Sequence, residues 1–261
     1  MPRVYPLFSS SSGNSCYIGS KSEGILIDAG VSCKKLVCAL GSNDISPAAV
    51  KAIFITHDHS DHISGLKVFT KNYNIPVYAA PKTMEYLISR GHISSRGEEV
   101  EIGVEKVVGD FSVTSFATPH DAVQSVGYRI VTPDGKSACI CTDLGHITAD
   151  VEKNLCGCEL VLLESNYDER MLRTGSYPYI LKQRIASPDG HLSNCASARE
   201  VKRLISAGTT RIILGHLSRE NNTPQIAENT LMRELGGDFV QNKDYLMYIA
   251  KPESTGMTVT Y

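Results

Sequence analysis

Three histidines and two aspartates lie within six positions of the sequence, in the segment ITHDHSDHISG at positions 55 to 65. Imidazole nitrogens and carboxylate oxygens are common ligands of zinc and related divalent metals. Side chains two positions apart in an extended segment point to the same side, so His57 and His59 can reach one ion together. Asp61 and His62 follow where the chain begins to turn, and they can reach a second ion beside it. The cluster therefore predicts most of one metal site and half of another.

A polar surface loop, or a set of hydrogen-bonded core histidines, is the alternative interpretation of this cluster. A lone histidine would favour that alternative. Here, however, the cluster directly follows the apolar run AIFI at positions 52 to 55, which predicts a buried strand. Three histidines and two acids at the point where a strand leaves the core favour a metal site.

Four further apolar runs carry a potential metal ligand at their C-terminal ends: GILID, VTSFATPH, ACICTD and RIILGH. The residues at these ends are Asp28, His120, Asp143 and His216. Sites in α/β proteins are built at the carboxyl edge of the sheet, so we expect all five strand ends to converge.

Two ions need more ligands than the histidine cluster holds. We expect His120 to complete the first site, His216 to complete the second, and Asp143 to bridge the two ions. Such a pair, about 3.5–4 Å apart, could hold a hydroxide as nucleophile and stabilise the oxygens of an in-line displacement. Nitrogen and oxygen ligands fit zinc, manganese or iron, and the sequence does not choose among them. Asp28 is expected to orient a histidine rather than to bind metal, with a turn residue before Gly30 as the alternative.

The elements that must position these residues are those of an α/β fold. The apolar runs are short and rich in Ile and Val, and they alternate with segments of helical period. No linker rich in Pro, Gly or Ser divides the 261 residues, which predicts a single domain over residues 1–261. Cap residues predict helices from Thr223 and Pro224 to Gly236, from Ser193 or Asn194 to Gly208, and from about Lys82 to Arg90.

Composition limits the possible partners and compartments. A net charge of -2 provides no global positive field, so nucleic acid would have to be held by a local patch. The N-terminus lacks the apolar stretch of a signal peptide and no run is long enough to span a membrane, so we expect a cytoplasmic protein without membrane contact. The eight cysteines are then expected to be reduced. The CxC pairs at 139/141 and 156/158 also leave a structural zinc site open.

The ordered motifs resemble a known family. The HxHxDH pattern at His57 to His62, followed in order by His120, Asp143 and His216, resembles the metallo-β-lactamase fold superfamily. The segments LFSSSSGNS, ESNYDERMLRTGSYPYILKQRI, GHLSN and LGHLSRENNTP resemble the YycJ/WalJ-like group of bacterial proteins. The resemblance implies a four-layered αβ/βα sandwich with two divalent ions per chain at one edge. It also implies 5′-to-3′ exonuclease action on double-stranded DNA.

Several positions are suited to a phosphodiester substrate. The Ser-rich loop at 9 to 13 offers hydroxyls and backbone amides that could cradle phosphate, although such runs also form plain turns. His191 precedes a predicted helix, where exposed amides favour an anion, and could protonate a leaving oxygen; its alternative is an ordinary loop histidine. Asp61 is assigned a second catalytic role in handling the proton. The residues assigned to substrate binding are Ser10, Ser11, Asn14, His191, Ser193 and Asn194.

Basic and aromatic residues in the C-terminal half could add a DNA-binding face. For the basic residues of the helix after Asn194, a solvated surface is the alternative. Tyr177 and Tyr179 could stack on an exposed base or pack in the core. The basic residues are Lys182, Arg184, Arg199, Lys202, Arg203, Arg211 and Arg219.

Two other functions stay open at this point. The first is a dinuclear hydrolase of a small substrate such as a thioester, lactone, lactam or cyclic nucleotide. Asp61 argues against the lactamases, where a cysteine often serves the second metal, but Cys141 and Asp143 would share a strand face. The second is a metal-stabilised binding protein without catalysis, against which the full ligand set argues.

Overall fold

A computed structural model describes residues 3–94, 96–253 and 256–261. Within these ranges the strands form two sheets of seven strands each. In chain order the strands are β1 (Arg3–Ser10), β2 (Gly13–Gly19), β3 (Gly24–Ile27), β4 (Val50–Ile55), β5 (Val77–Ala79), β6 (Gly97–Glu99), β7 (Glu105–Val108), β8 (Phe111–Ala117), β9 (Val126–Val131), β10 (Ser137–Cys141), β11 (Leu160–Glu164), β12 (Arg211–Gly215), β13 (Leu246–Ile249) and β14 (Val259–Thr260). The first sheet has the order β14-β1-β2-β3-β4-β5-β6 and the second β13-β12-β11-β10-β9-β8-β7.

The helices are short, and the longest of them in the described ranges has 13 residues. None of the described helices is long and apolar enough to cross a membrane. They are α1 (Cys33–Gly41), α2 (Ser60–Ile63), α3 (Leu66–Tyr73), α4 (Pro81–Ser89), α5 (Ala149–Leu155), α6 (Glu169–Thr174), α7 (Tyr179–Ile185), α8 (Asn194–Ser206) and α9 (Pro224–Leu235), with one 3₁₀ turn at Pro47–Ala49.

Three hydrophobic clusters define the layers of the fold. The first lies between the sheets and joins residues of both, such as Phe54 of β4 and Tyr128 of β9, whose ring centroids are 5.4 Å apart. The second packs the outer face of the first sheet against α1, α3 and α4. The third packs the outer face of the second sheet against α5, α8 and α9. The order is helix, sheet, sheet, helix, so the predicted four-layered αβ/βα sandwich is confirmed.

Strand direction brings the expected site residues to one edge of each sheet. In the first sheet β3, β4 and β5 run parallel. In the second sheet β10, β11 and β12 run parallel, and β8 has the same direction because both β8 and β10 are antiparallel to β9. The residues that follow β3, β4, β8, β10 and β12 therefore leave the sheets on the side where parallel α/β sheets carry their sites.

The predicted starts of α8 and α9 and the predicted end of α9 are confirmed, whereas α8 ends at Ser206, before the predicted Gly208, and α4 runs from Pro81 to Ser89. The Thr223 side chain accepts a hydrogen bond from the Ile226 N–H at the start of α9, and Gly236 ends that helix with a φ of 58°. Ser193 caps α8 in the same way, by accepting from the Ala196 N–H. In contrast, α7 has no buried residue. Periodicity of apolar residues could not have predicted α7, because periodicity reports a buried face.

Candidate metal centre

Three of the expected site residues have a left-handed backbone at the ends of their strands. The φ angles of Asp28, Asp143 and His216 are 61°, 59° and 53°. This conformation is unfavourable for residues other than glycine, because the Cβ atom crowds the following carbonyl oxygen. The three residues turn the chain sharply as it leaves β3, β10 and β12. Backbone strain of this kind is concentrated at functional sites.

The first set of candidate ligands is made of His57, His59 and His120. One ring nitrogen from each lies within 4.8 Å of the others. The Nδ1 atom of His59 is 3.3 Å from the Nε2 atom of His120. The Nδ1–H of His120 donates to the Gly190 carbonyl oxygen at 2.9 Å, which directs Nε2 toward the other two rings. The arrangement matches three protein ligands of one ion.

The second set combines Asp61, His62 and His216, again with one ligand atom from each within 4.8 Å of the others. Asp143 lies between the two sets. Its Oδ2 is 3.3 Å from Nε2 of His62, and its Oδ1 is 3.2 Å from Nδ1 of His216 and 3.8 Å from Nε2 of His120. A carboxylate that contacts members of both sets is placed to bridge two ions.

Unsatisfied buried atoms indicate that the ligand sets suit metal ions. Among the described residues, six buried side-chain nitrogen or oxygen atoms make no hydrogen bond. Three of them are Nε2 of His57, Oδ2 of Asp143 and Nε2 of His216. A buried polar atom without a hydrogen bond costs roughly 1–3 kcal/mol, whereas coordination to a cation would satisfy it. These residues therefore fit divalent metal ions.

Asp28 lies behind the ligands, where it binds three hydrogen-bond donors. Its Oδ1 accepts from the Thr56 N–H at 2.8 Å, and its Oδ2 accepts from the Thr56 hydroxyl at 2.9 Å and from His62 Nδ1 at 2.8 Å. The last contact sets the tautomer of His62 and directs Nε2 toward Asp61 and Asp143. The assignment of Asp28 to orienting a histidine stays a prediction, and this contact supports it. Thr56 was not identified from the sequence.

Replacement of Asp28 by asparagine should weaken metal binding without removing any ligand. The asparagine amide cannot accept from all three donors, so His62 would lose its fixed orientation. Changes to such outer hydrogen-bond partners lower metal affinity by about 10–100-fold. The test is zinc titration against a competing chromophoric chelator. Asp44→Asn, which alters an exposed ion pair with Lys21, is the control, and wild-type affinity in Asp28→Asn would contradict the role.

The charges of the site are strongly coupled. Burial lowers the pKa of His62, but the carboxylates of Asp28 and Asp143 outweigh burial and hold the pKa well above its usual value. Burial and the neighbouring charge of His62 lower the pKa of His57 well below its usual value. Burial raises the pKa of Asp143, yet the charges of His216 and His62 bring it well below the usual range. A metal ion would replace the proton on His62, so metal binding should release protons.

Glu164 is a buried residue of the site whose role the sequence did not reveal. Its Oε1 accepts from Nδ1 of His191 at 2.7 Å and from Nδ1 of His216 at 3.0 Å. Its Oε2 accepts from the backbone N–H groups of Leu144 and Leu192. Glu164 therefore orients one candidate metal ligand and one candidate catalytic residue together. The available signal was its position at the end of the apolar run LVLLE, the same pattern that identified the other strand ends.

The residues assigned to substrate binding fall into two groups. Ser11 is exposed at the tip of the β1–β2 hairpin, and the imidazole of His191 is 21% exposed. The other four side chains form hydrogen bonds mainly within the protein. Ser10 contacts Ser12, and Asn14 contacts Ser10, Asp61 and His62. Ser193 contacts Glu169 and Ala196, and Asn194 contacts Ser165 and Asn222. The substrate role of both groups stays a prediction.

The basic residues do not form one common face. Arg211 begins β12 and so lies at the opposite end of that strand from His216. Lys202 pairs with Asp238, and Arg203 pairs with Glu200 and Glu152. Their positive charges are locally compensated, which supports the solvated-surface alternative for α8. Arg184 instead pairs with Asp121, next to His120.

The cysteines stay apart from the site. None of the described groups that could hold a metal includes a cysteine. Cys139, Cys141 and Cys158 are buried in the cluster between the second sheet and its helices. Cys141 therefore packs as an apolar side chain, away from the second ligand set.

Close backbone contacts hold the site loops together. A Cβ atom at Gly30 would lie 1.6 Å from the Asp61 carbonyl oxygen and 2.7 Å from the Asn14 nitrogen. A Cβ atom at Gly65 would lie 1.9 Å from the Val31 carbonyl oxygen. Only glycine lets the loop after β3 approach α2 this closely.

Comparison with known proteins agrees with this architecture. The profile of the Beta-lactamase superfamily domain matches residues 24–217. Exodeoxyribonuclease WalJ of Streptococcus pneumoniae strain D39 is 37% identical over 253 residues, which cover 95% of this chain and 94% of that protein. Exodeoxyribonuclease YycJ of Bacillus anthracis is 36% identical over 233 residues, covering 88% of this chain and 87% of that protein. The crystal structure of Zn²⁺-bound PqqB from Methylobacterium extorquens has the same fold, with a TM-score of 0.73 at 16% identity and coverage of 99% and 100%. The chain therefore belongs to the metallo-β-lactamase fold superfamily, in the family of the WalJ and YycJ proteins.

Proposed function

We propose that this protein is a metal-dependent phosphodiester hydrolase that degrades double-stranded DNA from the 5′ end. The observation that carries the proposal is the meeting of two ligand sets at Asp143, beside the partly exposed His191. This arrangement occurs in a chain whose relatives along nearly the whole length are exodeoxyribonucleases. The geometry of the site supports hydrolysis, and the relatives support DNA as the substrate.

The proposed cofactors are two divalent ions of zinc, manganese or iron. The first ligand set would hold one ion and the second set the other, with Asp143 contacting both. When bound, such ions activate water and stabilise the charge on the phosphate oxygens. Asp61 has a side chain that is 20% exposed, so it can bind the second ion with one oxygen and accept a proton with the other.

His191 is proposed to protonate the leaving oxygen. Its Nδ1 is hydrogen-bonded to Glu164, so Nε2 is the ring nitrogen that can donate a proton to a substrate. Burial lowers the pKa of His191, but the charge and hydrogen bond of Glu164 outweigh burial and raise it to about 9. Burial raises the pKa of Glu164, and the charge of His191 in turn lowers it to about 2. The ion pair with Glu164 therefore favours the protonated form of His191, which is the form that a general acid requires.

Digestion of end-labelled duplex DNA tests the proposed function. Each strand is labelled separately at its 5′ or its 3′ end and incubated with manganese or zinc. We expect stepwise loss from the 5′ end by the wild-type protein, and no loss with Asp143→Asn. Loss from the 3′ end would contradict the direction. Two bound ions without cleavage of DNA would instead favour a small phosphodiester or thioester as substrate, and fewer than two ions would favour a binding protein.

A further inference from the structure

A cavity of about 180 Å³ opens beside His191, and its lining combines two kinds of chemistry. The side chains of Tyr177, Leu181 and Ile185 supply apolar surface. Ser11 and Ser218 supply hydroxyl groups to the same cavity. A ligand that fits both would have a flat apolar part and a polar part.

The apolar wall comes from one short element. Leu181 and Ile185 are four positions apart on α7 and so lie on the same helix face, and Tyr177 precedes the helix by two residues. No residue of α7 is buried in the protein core. Leu181 and Ile185 therefore border a cavity, whereas the apolar side chains of α8 and α9 pack into the third hydrophobic cluster.

This wall is fixed in position relative to His191. The His191 N–H donates to the Ile185 carbonyl oxygen at 2.9 Å. A Cβ atom at Gly190 would lie 2.2 Å from the Arg184 carbonyl oxygen and 2.3 Å from that of Ile185, so the two segments are in close backbone contact. The side chain of Arg184 also pairs with Asp121, the residue after His120. The helix that forms the apolar wall is thus held against the segment that carries His191 and against the segment that carries His120.

The charged residues that line the cavity do not exclude a nucleotide. Asp121 is the one acidic residue in its described lining, and Arg184, also in the lining, pairs with that carboxylate. The Nδ2 group of Asn166, a further lining residue, donates to the His216 carbonyl oxygen. The volume of the cavity lies below the roughly 300–1,000 Å³ of pockets that enclose whole ligands, so it can take only part of a larger substrate.

We infer that this cavity receives the base of the terminal nucleotide being removed, with the base stacked on the ring of Tyr177. The inference rests on the proposed function and adds a position for the substrate end. A tyrosine ring stacks on any base, because every base has a π-face. Such a site would grip the end of a strand without reading its sequence. Tyr177 is a binding residue in this arrangement and takes no part in bond cleavage.

The test compares two duplexes that differ only at the terminal nucleotide of the labelled 5′ end. One carries thymine there and the other a tetrahydrofuran abasic analogue. The wild-type protein should remove the abasic nucleotide more slowly, by roughly 5- to 150-fold, which corresponds to the stacking of one base on an aromatic ring. Tyr177→Ala should remove both nucleotides at the same slow rate. Tyr177→Phe keeps the ring and should discriminate as the wild type does.

Tyr179→Ala is the matched control, because Tyr179 lies two positions further on, is 73% exposed and lines a different cavity. It should discriminate as the wild type does. Equal rates on both duplexes with the wild-type protein would overturn the inference while the proposed function stands. Undiminished discrimination by Tyr177→Ala would do the same. No cleavage of either duplex by the wild-type protein would overturn the proposed function and this inference together.

Discussion

Asp143→Asn is expected to abolish metal-dependent hydrolysis while the protein stays folded. Asp143 is the carboxylate between the two ligand sets. Its Oδ2 lies 3.3 Å from Nε2 of His62, and its Oδ1 lies 3.2 Å from Nδ1 of His216. A neutral amide is a poor metal ligand and cannot bridge two cations. The loss of activity should therefore exceed the roughly 10–100-fold effect of changing an outer hydrogen-bond partner. Initial rates of DNA cleavage and the metal content per chain measure the effect.

The choice of asparagine makes this experiment specific. Asparagine has the shape of aspartate and tolerates the left-handed backbone that Asp143 adopts. The circular dichroism spectrum should match that of the wild-type protein, so the loss can be assigned to chemistry. Full activity with a normal metal content would refute the role of Asp143 as a bridging ligand.

Gly30→Ala is expected to disrupt the site through the backbone alone. The added Cβ atom would lie 1.6 Å from the Asp61 carbonyl oxygen and 2.4 Å from its carbonyl carbon. Both are backbone atoms, so no side chain can rotate away to make room. Forcing atoms into packed surroundings costs about 1–3 kcal/mol, and here the displaced segment carries Asp61 and His62. We expect a lower free energy of unfolding in urea together with loss of metal from the second ligand set.

Gly41→Ala provides the comparison for this substitution. Gly41 lies at the end of α1, and a Cβ atom there meets nothing within 4 Å. Alanine is favoured over glycine in a helix by up to about 1 kcal/mol, so Gly41→Ala should be neutral or stabilising and keep its metal. If Gly30→Ala behaved like Gly41→Ala, the close approach of the two loops would not be needed for the site.

The strand ends were the part of the site that could be predicted from the sequence. Short apolar runs ending in His or Asp are local patterns, and the carboxyl edge of a parallel sheet collects them irrespective of their separation. His57, His120, Asp143 and His216 were identified in this way. The capped helices α8 and α9 were equally accessible, because Ser193 and Thr223 are local signals.

Contacts that depend on tertiary packing could not be predicted. The hydroxyl of Thr56 is 2.9 Å from Asp28, a residue 28 positions earlier, and nothing in the local sequence indicates this pairing. Asn14 bonds to Asp61 and His62 only because the β1–β2 hairpin lies beside α2. Glu164 had the strand-end pattern, but its two histidine partners come from different loops. The local sequence shows that a residue lies at the edge of a sheet, whereas its hydrogen-bond partners depend on the complete fold.

The left-handed backbone of Asp28, Asp143 and His216 has a consequence for directed evolution. Each of these residues pays a conformational penalty on the order of 1 kcal/mol that glycine would avoid. Glycine at position 28, 143 or 216 would relieve this penalty, but it would also remove buried polar contacts of the side chain, which are worth about as much. A screen for thermal tolerance alone would therefore do little to keep these side chains of the candidate metal centre. Heat-resistant variants should be sought by screening for turnover at the same time, since three of the six described non-glycine residues with a positive φ belong to the candidate metal centre.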